Sequence, residues 1–190
     1  MGLSQKQRNL FFISVFYFMS SFIFYSKISS AEPSTEKTHA IQPGTSEKDT
    51  PFWKDGLITG GNSSVNQAII KSIRYSTHPH SERMVIELSS TRNGELSPIA
   101  QLPLYQFLID PKLNRLSLTL WGSPKLHFDP KKLHEMTRKS ALLSRVQLLP
   151  KLEEELWTFG LNMKKPVEIR VFELDSPMRI IIDIKSIKAS

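Results

Sequence analysis

Apolar and polar residues alternate most regularly near the end of the chain. In residues 167–184, reading VEIRVFELDSPMRIIIDI, Val167, Ile169 and Val171 alternate with Glu168, Arg170 and Phe172. Met178, Ile180, Ile182 and Ile184 then alternate with Arg179, Ile181 and Asp183. A period of two predicts two half-buried strands. Asp175-Ser176-Pro177 between them predicts a turn, because Asp accepts from backbone amides and Pro presets φ. Together they predict a hairpin, and the β-branched second arm suits a central strand.

The same pattern recurs upstream. Ile73-Arg74-Tyr75, a turn at His78-Pro79-His80-Ser81 and the alternation of Met84, Ile86 and Leu88 predict a first hairpin. Residues 104–109 and 116–120 predict a second, around Asp110-Pro111. Val146-Gln147-Leu148, a turn at Pro150 and Glu153-Glu154-Glu155, and Trp157, Phe159, Leu161 and Met163 predict a third. Asp129-Pro130 reads as an N-cap followed by a helix-initiating proline. Leu133, Met136, Ser140 and Leu143 at helical spacing predict a short helix over 131–143.

The halves match at an offset of 73 residues, which carries Met84 onto Trp157, Ile86 onto Phe159 and Leu88 onto Leu161. Asp110-Pro111 with Arg115 likewise echoes Asp175-Ser176-Pro177 with Arg179. A repeat of two hairpins gives about eight strands. Each hairpin has one apolar face in need of a cover. The expected fold is all-β, a sandwich of two antiparallel sheets from a pseudo-symmetric repeat, plus one short helix.

The amino-terminal third reads differently. Lys6 and Arg8 precede an apolar run from Leu10 to Tyr25, and Ser29-Ser30-Ala31 follows. This predicts a signal peptide over 1–31, cleaved after Ala31. The alternative is an uncleaved anchor, the only membrane contact expected. Residues 32–66 are polar and rich in Pro, Ser and Thr, which predicts a disordered tether. Phe52-Trp53 within it reads as an aromatic pair resting on the domain. The folded domain is then expected over 67–187.

Composition narrows the function. The formal charge is +7, three of these from Lys6, Arg8 and Lys27. The remainder is too sparse for a nucleic-acid binder, which would carry a dense basic patch. The chain has no Cys, which removes disulfides, thiolate metal sites and cysteine nucleophiles. His78 and His80 flank Pro79 in a turn with no third ligand nearby, so no metal site is expected. His127 and His134 read as surface residues. Nucleophile-elbow, zincin and phosphate-loop motifs are missing, and Glu153-Glu154-Glu155 reads as a solvated turn. Neither an enzyme nor a cofactor is implied.

The closing stretch 172–183 resembles the signature of AMIN domains. Phe172 and Leu174 precede the Asp175-Ser176-Pro177 turn, then Arg179 and an apolar strand end in Asp183. Residues 83–88, RMVIEL, are similar to the family's arginine-led second strand. The resemblance spans about 69–185. It implies a sandwich of two symmetry-related sheets in an exported, non-catalytic module of the bacterial periplasm or cell envelope. Such a module binds peptidoglycan or localises its carrier; the alternative is docking on a secretin or other envelope assembly, for instance by strand addition at a sheet edge. Arg83, Arg115 and Arg179 are the candidate binding residues, since arginine's fork suits stem-peptide or glycan carboxylates. Asp183 reads as a cross-strand ion-pair partner on an outer face. Arg179 has a second reading, as an anchor of the closing hairpin through Asp183 or a backbone carbonyl.

Overall fold

The computed structural model describes residues 37–42, 46–138, 140–149 and 156–187, all within the compact unit of residues 36–190. The expected signal peptide and the turn at 150–155 lie outside the described residues. Twelve strands and one short helix are described: β1 (Thr38–Ala40), β2 (Gly56–Gly60), β3 (Ile69–Thr77), β4 (Glu82–Arg92), β5 (Glu95–Ser97), β6 (Tyr105–Asp110), β7 (Arg115–Trp121), β8 (Lys125–Leu126), α1 (Lys132–Arg138), β9 (Leu143–Leu149), β10 (Leu156–Met163), β11 (Val167–Leu174) and β12 (Arg179–Ser186).

The strands form two sheets. The first runs β1-β2-β6-β7-β10-β9 and the second β11-β12-β4-β3-β8, with β5 paired to β4. Four strands of each are the predicted hairpins, and their order carries the repeat. β6-β7-β10-β9 maps onto β11-β12-β4-β3, so each sheet takes one hairpin from each half of the chain. A half alone would leave its apolar faces uncovered. The exchange puts both halves into both layers.

The inward faces meet in one core. From the first sheet come Phe107, Leu116, Leu118, Leu120, Phe159 and Leu161; from the second come Ile70, Met84, Ile86, Leu88, Ile180, Ile182 and Ile184. Ile86 pairs with Ile180 across β4 and β12, and Phe159 with Leu118 across β10 and β7. Side chains alternate across a strand, so these registers place every second residue inside.

Three expectations change. The sheets are not wholly antiparallel, because β1 pairs β2 and β3 pairs β8 in parallel. The helix is shorter than 131–143. Asp129 Oδ1 accepts from Lys131 N as predicted of a cap, but the helix ends at Arg138. Ser140 Oγ accepts from the amides of Leu142 and Leu143, and this turns the chain into β9. The largest correction concerns the tether. Within 32–66, β2 pairs along its full length with β6, and Ile58 is completely buried. Trp53 exchanges two backbone hydrogen bonds with Ile169, bridging the outer edge of β11 at that residue. A polar, proline-rich average concealed a short strand and an edge cover.

Candidate functional site

The second sheet's outer face is held by charge. Register sets Arg170, Asp183 and Arg83 side by side on β11, β12 and β4. Arg83 Nε and Nη2 donate to the two Asp183 oxygens at 2.6 and 2.9 Å, a bidentate pair. Arg170 Nη2 donates to Asp183 Oδ2 at 2.6 Å. Glu47, carried by a short 3-10 turn, accepts from Arg83 Nη2 and Arg170 Nη2, both at 2.8 Å. Burial works against the Asp183 charge, but hydrogen bonds from Arg83 and then Arg170 outweigh it and hold its carboxyl below the ordinary value. The bond to Asp183 in turn raises the Arg83 guanidinium.

Aromatic rings complete this face. Phe172, 1 % exposed, lies under both guanidiniums at 5.5 and 5.7 Å from its centroid. Phe52 stacks on Arg170 at 4.9 Å and beneath Lys185 Nζ at 3.7 Å. The cluster therefore satisfies its own charges and pins the segment around Glu47 and Phe52 to the sheet.

The three candidate arginines are divided between the two sheets. Arg83 and Arg179 belong to the second sheet, on β4 and β12, and Arg115 to the first, on β7. Arg83 is spent on Asp183 and Glu47. Arg179 lies opposite Glu87 but donates through Nε to the Pro177 carbonyl at 3.1 Å, while Glu87 binds Lys71 and Arg74. Asp175 stays exposed without capping its turn; the matching Asp110 does so, accepting from Lys112 and Leu113 amides. Leu174 is 37 % exposed, and Ser176-Pro177 is a cis bond.

Arg115 differs from the other two. Among the described residues it makes no ion pair, and its buried Nε has no hydrogen-bond partner. Its guanidinium lies against Gly160, where an added Cβ would come within 3.0 Å of Nη2. Around it the outer face of the first sheet is a set of polar rungs. Asp110, Arg115, Asn162 and Arg145 form one, and Gln106, Thr119 and Thr158 belong to another. Thr119 and Thr158 hydroxyls are 3.2 Å apart. Asn114 Oδ1 and Asn162 Oδ1, beside Arg115, are likewise buried and have no hydrogen-bond partner among the described residues. Sequence reasoning missed Asn162 and Gly160, although the position of Gly160 in a strand was itself a signal of close approach.

Two glutamates face inward. Glu82, opposite Ile184, accepts from Ser140 Oγ, Ala141 N and Tyr75 OH. Glu173, opposite Ile180, accepts from Tyr105 OH at 2.9 Å and Gly61 N at 3.2 Å. Burial pushes the Glu173 carboxyl up, and its two donors only partly offset this. Burial likewise raises the Tyr105 phenol. An added Cβ at Gly60 would stand 2.3 Å from the Tyr105 hydroxyl oxygen, so this link across the core depends on glycine there.

A cleft of about 690 Å³ is lined by Lys54, His78, His80, Glu82, Lys165, Glu168 and Lys185 among others. Its carboxylates are engaged: Glu82 as described, and Glu168 with Lys185 at 3.3 Å. Among the described residues, no group of three His, Asp or Glu is placed to hold a metal, and no helix is long and apolar enough to cross a membrane. Comparison with known proteins returns no matching family model, no matching curated relative and no matching solved structure.

Proposed function

We propose that this chain is a non-catalytic binding module of the bacterial cell envelope, similar to AMIN domains, which attaches to peptidoglycan through the outer face of the first sheet. The observation that carries the reading is the asymmetry between the two outer faces. On the second sheet Arg83 and Arg170 are neutralised by Asp183 and Glu47. On the first sheet Arg115 forms no ion pair among the described residues, although Asp110 stands opposite it, and it lies beside rungs that carry Asn162, Gln106, Thr119 and Thr158.

Such a face fits a glycan strand chemically. Neighbouring strands present hydroxyls and amides ~4.8 Å apart, a row of donors and acceptors for sugar hydroxyls. Arg115 and Arg145 supply cations for stem-peptide carboxylates, and a guanidinium binds these bidentately. The exchange of hairpins between sheets and the closing 172–183 hairpin support the resemblance to the AMIN fold. Export to the periplasm or envelope is part of the same proposal.

Sedimentation with protein-free sacculi tests it. The full chain should cosediment, and Arg115→Gln should weaken binding about fivefold with an unchanged melting curve, as expected for loss of one charge-assisted contact. Equal binding by the variant at low and moderate salt removes this face from consideration.

A further inference from the structure

We propose that the open edge of β9 takes up an extended acidic segment of a partner protein as an added strand of the first sheet. Among the described residues β9 pairs only with β10, so one side of its seven-residue backbone has no strand partner. The other edges are partly paired: Trp53 bridges β11 at Ile169, β1 covers three residues of β2, and β8 covers Ile69 and Ile70 of β3. An unpaired row of amides and carbonyls is a template for another strand unless something blunts it.

What lies beside β9 selects the occupant. A groove of about 330 Å³ runs between β9 and the start of α1. Leu133, Val146 and Leu148 give it apolar lining, and Lys131, His134 and Arg145 give it polar lining. Lys132 and Arg138 on α1 add positive charge against a single Glu135. None of Lys131, Lys132, Arg138 or Arg145 forms an ion pair among the described residues.

An acidic strand therefore meets unpaired cations on both walls. A basic strand meets repulsion, and a neutral one leaves these cations without a counter-charge. An excess of positive charge along an edge thus works as selection against the wrong strand as well as attraction for the right one. Strand addition supplies affinity through main-chain bonds, and the flanking side chains supply the preference.

The test uses a blocked octapeptide alternating Glu and Val, titrated into the isotope-labelled full chain at low salt. The amide signals of Leu143–Leu149 should shift and gain protection from hydrogen exchange. A Lys131→Glu, Arg145→Glu double variant should bind about tenfold more weakly, a change of ~1.4 kcal/mol. Arg115→Gln should bind the peptide normally, which separates this edge from the Arg115 part of the glycan face, with which it shares Arg145. The same peptide N-methylated at alternate residues, in either phase, should lose binding in the phase that must donate to β9. Equal binding by both N-methylated forms overturns strand addition. Undiminished binding by the double variant, or equal binding of an alternating Lys and Val peptide, overturns the acidic preference. Unmoved β9 signals at millimolar Glu-Val peptide overturn the proposal as a whole.

Discussion

Arg83 and Asp183 face each other across β4 and β12 and are joined by two hydrogen bonds of 2.6 and 2.9 Å, with Asp183 2 % exposed. Removing one partner of such a pair leaves the other charge uncompensated in a low-dielectric setting. Asp183→Asn should therefore cost about 3 kcal/mol in urea unfolding, since Arg83 and Arg170 lose their shared acceptor charge. Arg83→Gln should cost less, about 2 kcal/mol, because Arg170 still neutralises Asp183. Equal stability of Asp183→Asn and wild type would mean that the pair only decorates the surface.

The two shifted carboxyls give opposite pH dependences. Asp183 is held below its ordinary value in the folded state, so its contribution is present above the unfolded value of about 3.9 and is lost as pH falls through the folded value. Glu173 is raised by burial, so the folded state binds its proton more tightly than the unfolded chain does. Stability then declines as pH rises through the window just above about 4.3. Glu173→Gln keeps an oxygen acceptor for Tyr105 and Gly61 but removes the titration. Urea melts of this variant should lose the decline in that window and keep the acid limb, which Asp183→Asn should remove. An unchanged profile in Glu173→Gln would exclude Glu173 as its source.

The amino-terminal boundary is open to a direct test. A chain beginning at residue 65 lacks β2, Glu47, Phe52 and Trp53. It exposes the flank of β6 and the edge of β11, and it loses a fully buried Ile58 worth roughly 1.5–3 kcal/mol by itself. It should melt well below a chain beginning at residue 36. Coincident melting curves for the two would return residues 37–64 to the status of a tether.

The four hairpins and their repeat were legible because alternation acts on every residue of a strand; the exchange of hairpins between the sheets was not, because it depends on which strands pair across the halves. Ile86 and Phe159 sit where the 73-residue offset places them, each opposite a residue of the other half's hairpin. β2 was not legible. In GLITG only Leu57 and Ile58 are large and apolar, and glycines at both ends hide the alternation. Gly60 is required there by Tyr105, a contact between residues far apart in sequence. Arg83 and Arg115 read alike from sequence because both occupy alternating strands. What separates them is the partner, Asp183 against Gly160, and the partner depends on register. The ring of Phe52 on Arg170 was foreseen as an aromatic resting on the domain, but its role in fixing Glu47 beside two guanidiniums depends on tertiary packing.

Arg115 and Gly160 supply the last prediction. Gly160 leaves a hollow in β10 into which the Arg115 guanidinium fits. Gly160→Thr should fill that hollow at little cost to the fold, because the nearest neighbours of the added Cβ are the movable end of Arg115 and β-branched residues suit strands. The displaced guanidinium then projects from the face. If sacculus binding depends on Arg115 held flat among the polar rungs, Gly160→Thr should weaken binding several-fold, as Arg115→Gln does, and combining the two should add little, since both remove one arrangement. If Arg115 acts only as a mobile charge, Gly160→Thr should bind as wild type while Arg115→Gln does not. Arg179→Gln serves as the reference, because its side chain is tied to Pro177 on the other sheet. It should leave sacculus binding unchanged. Weakened binding in Arg179→Gln with full binding in Arg115→Gln would transfer the glycan face to the second sheet.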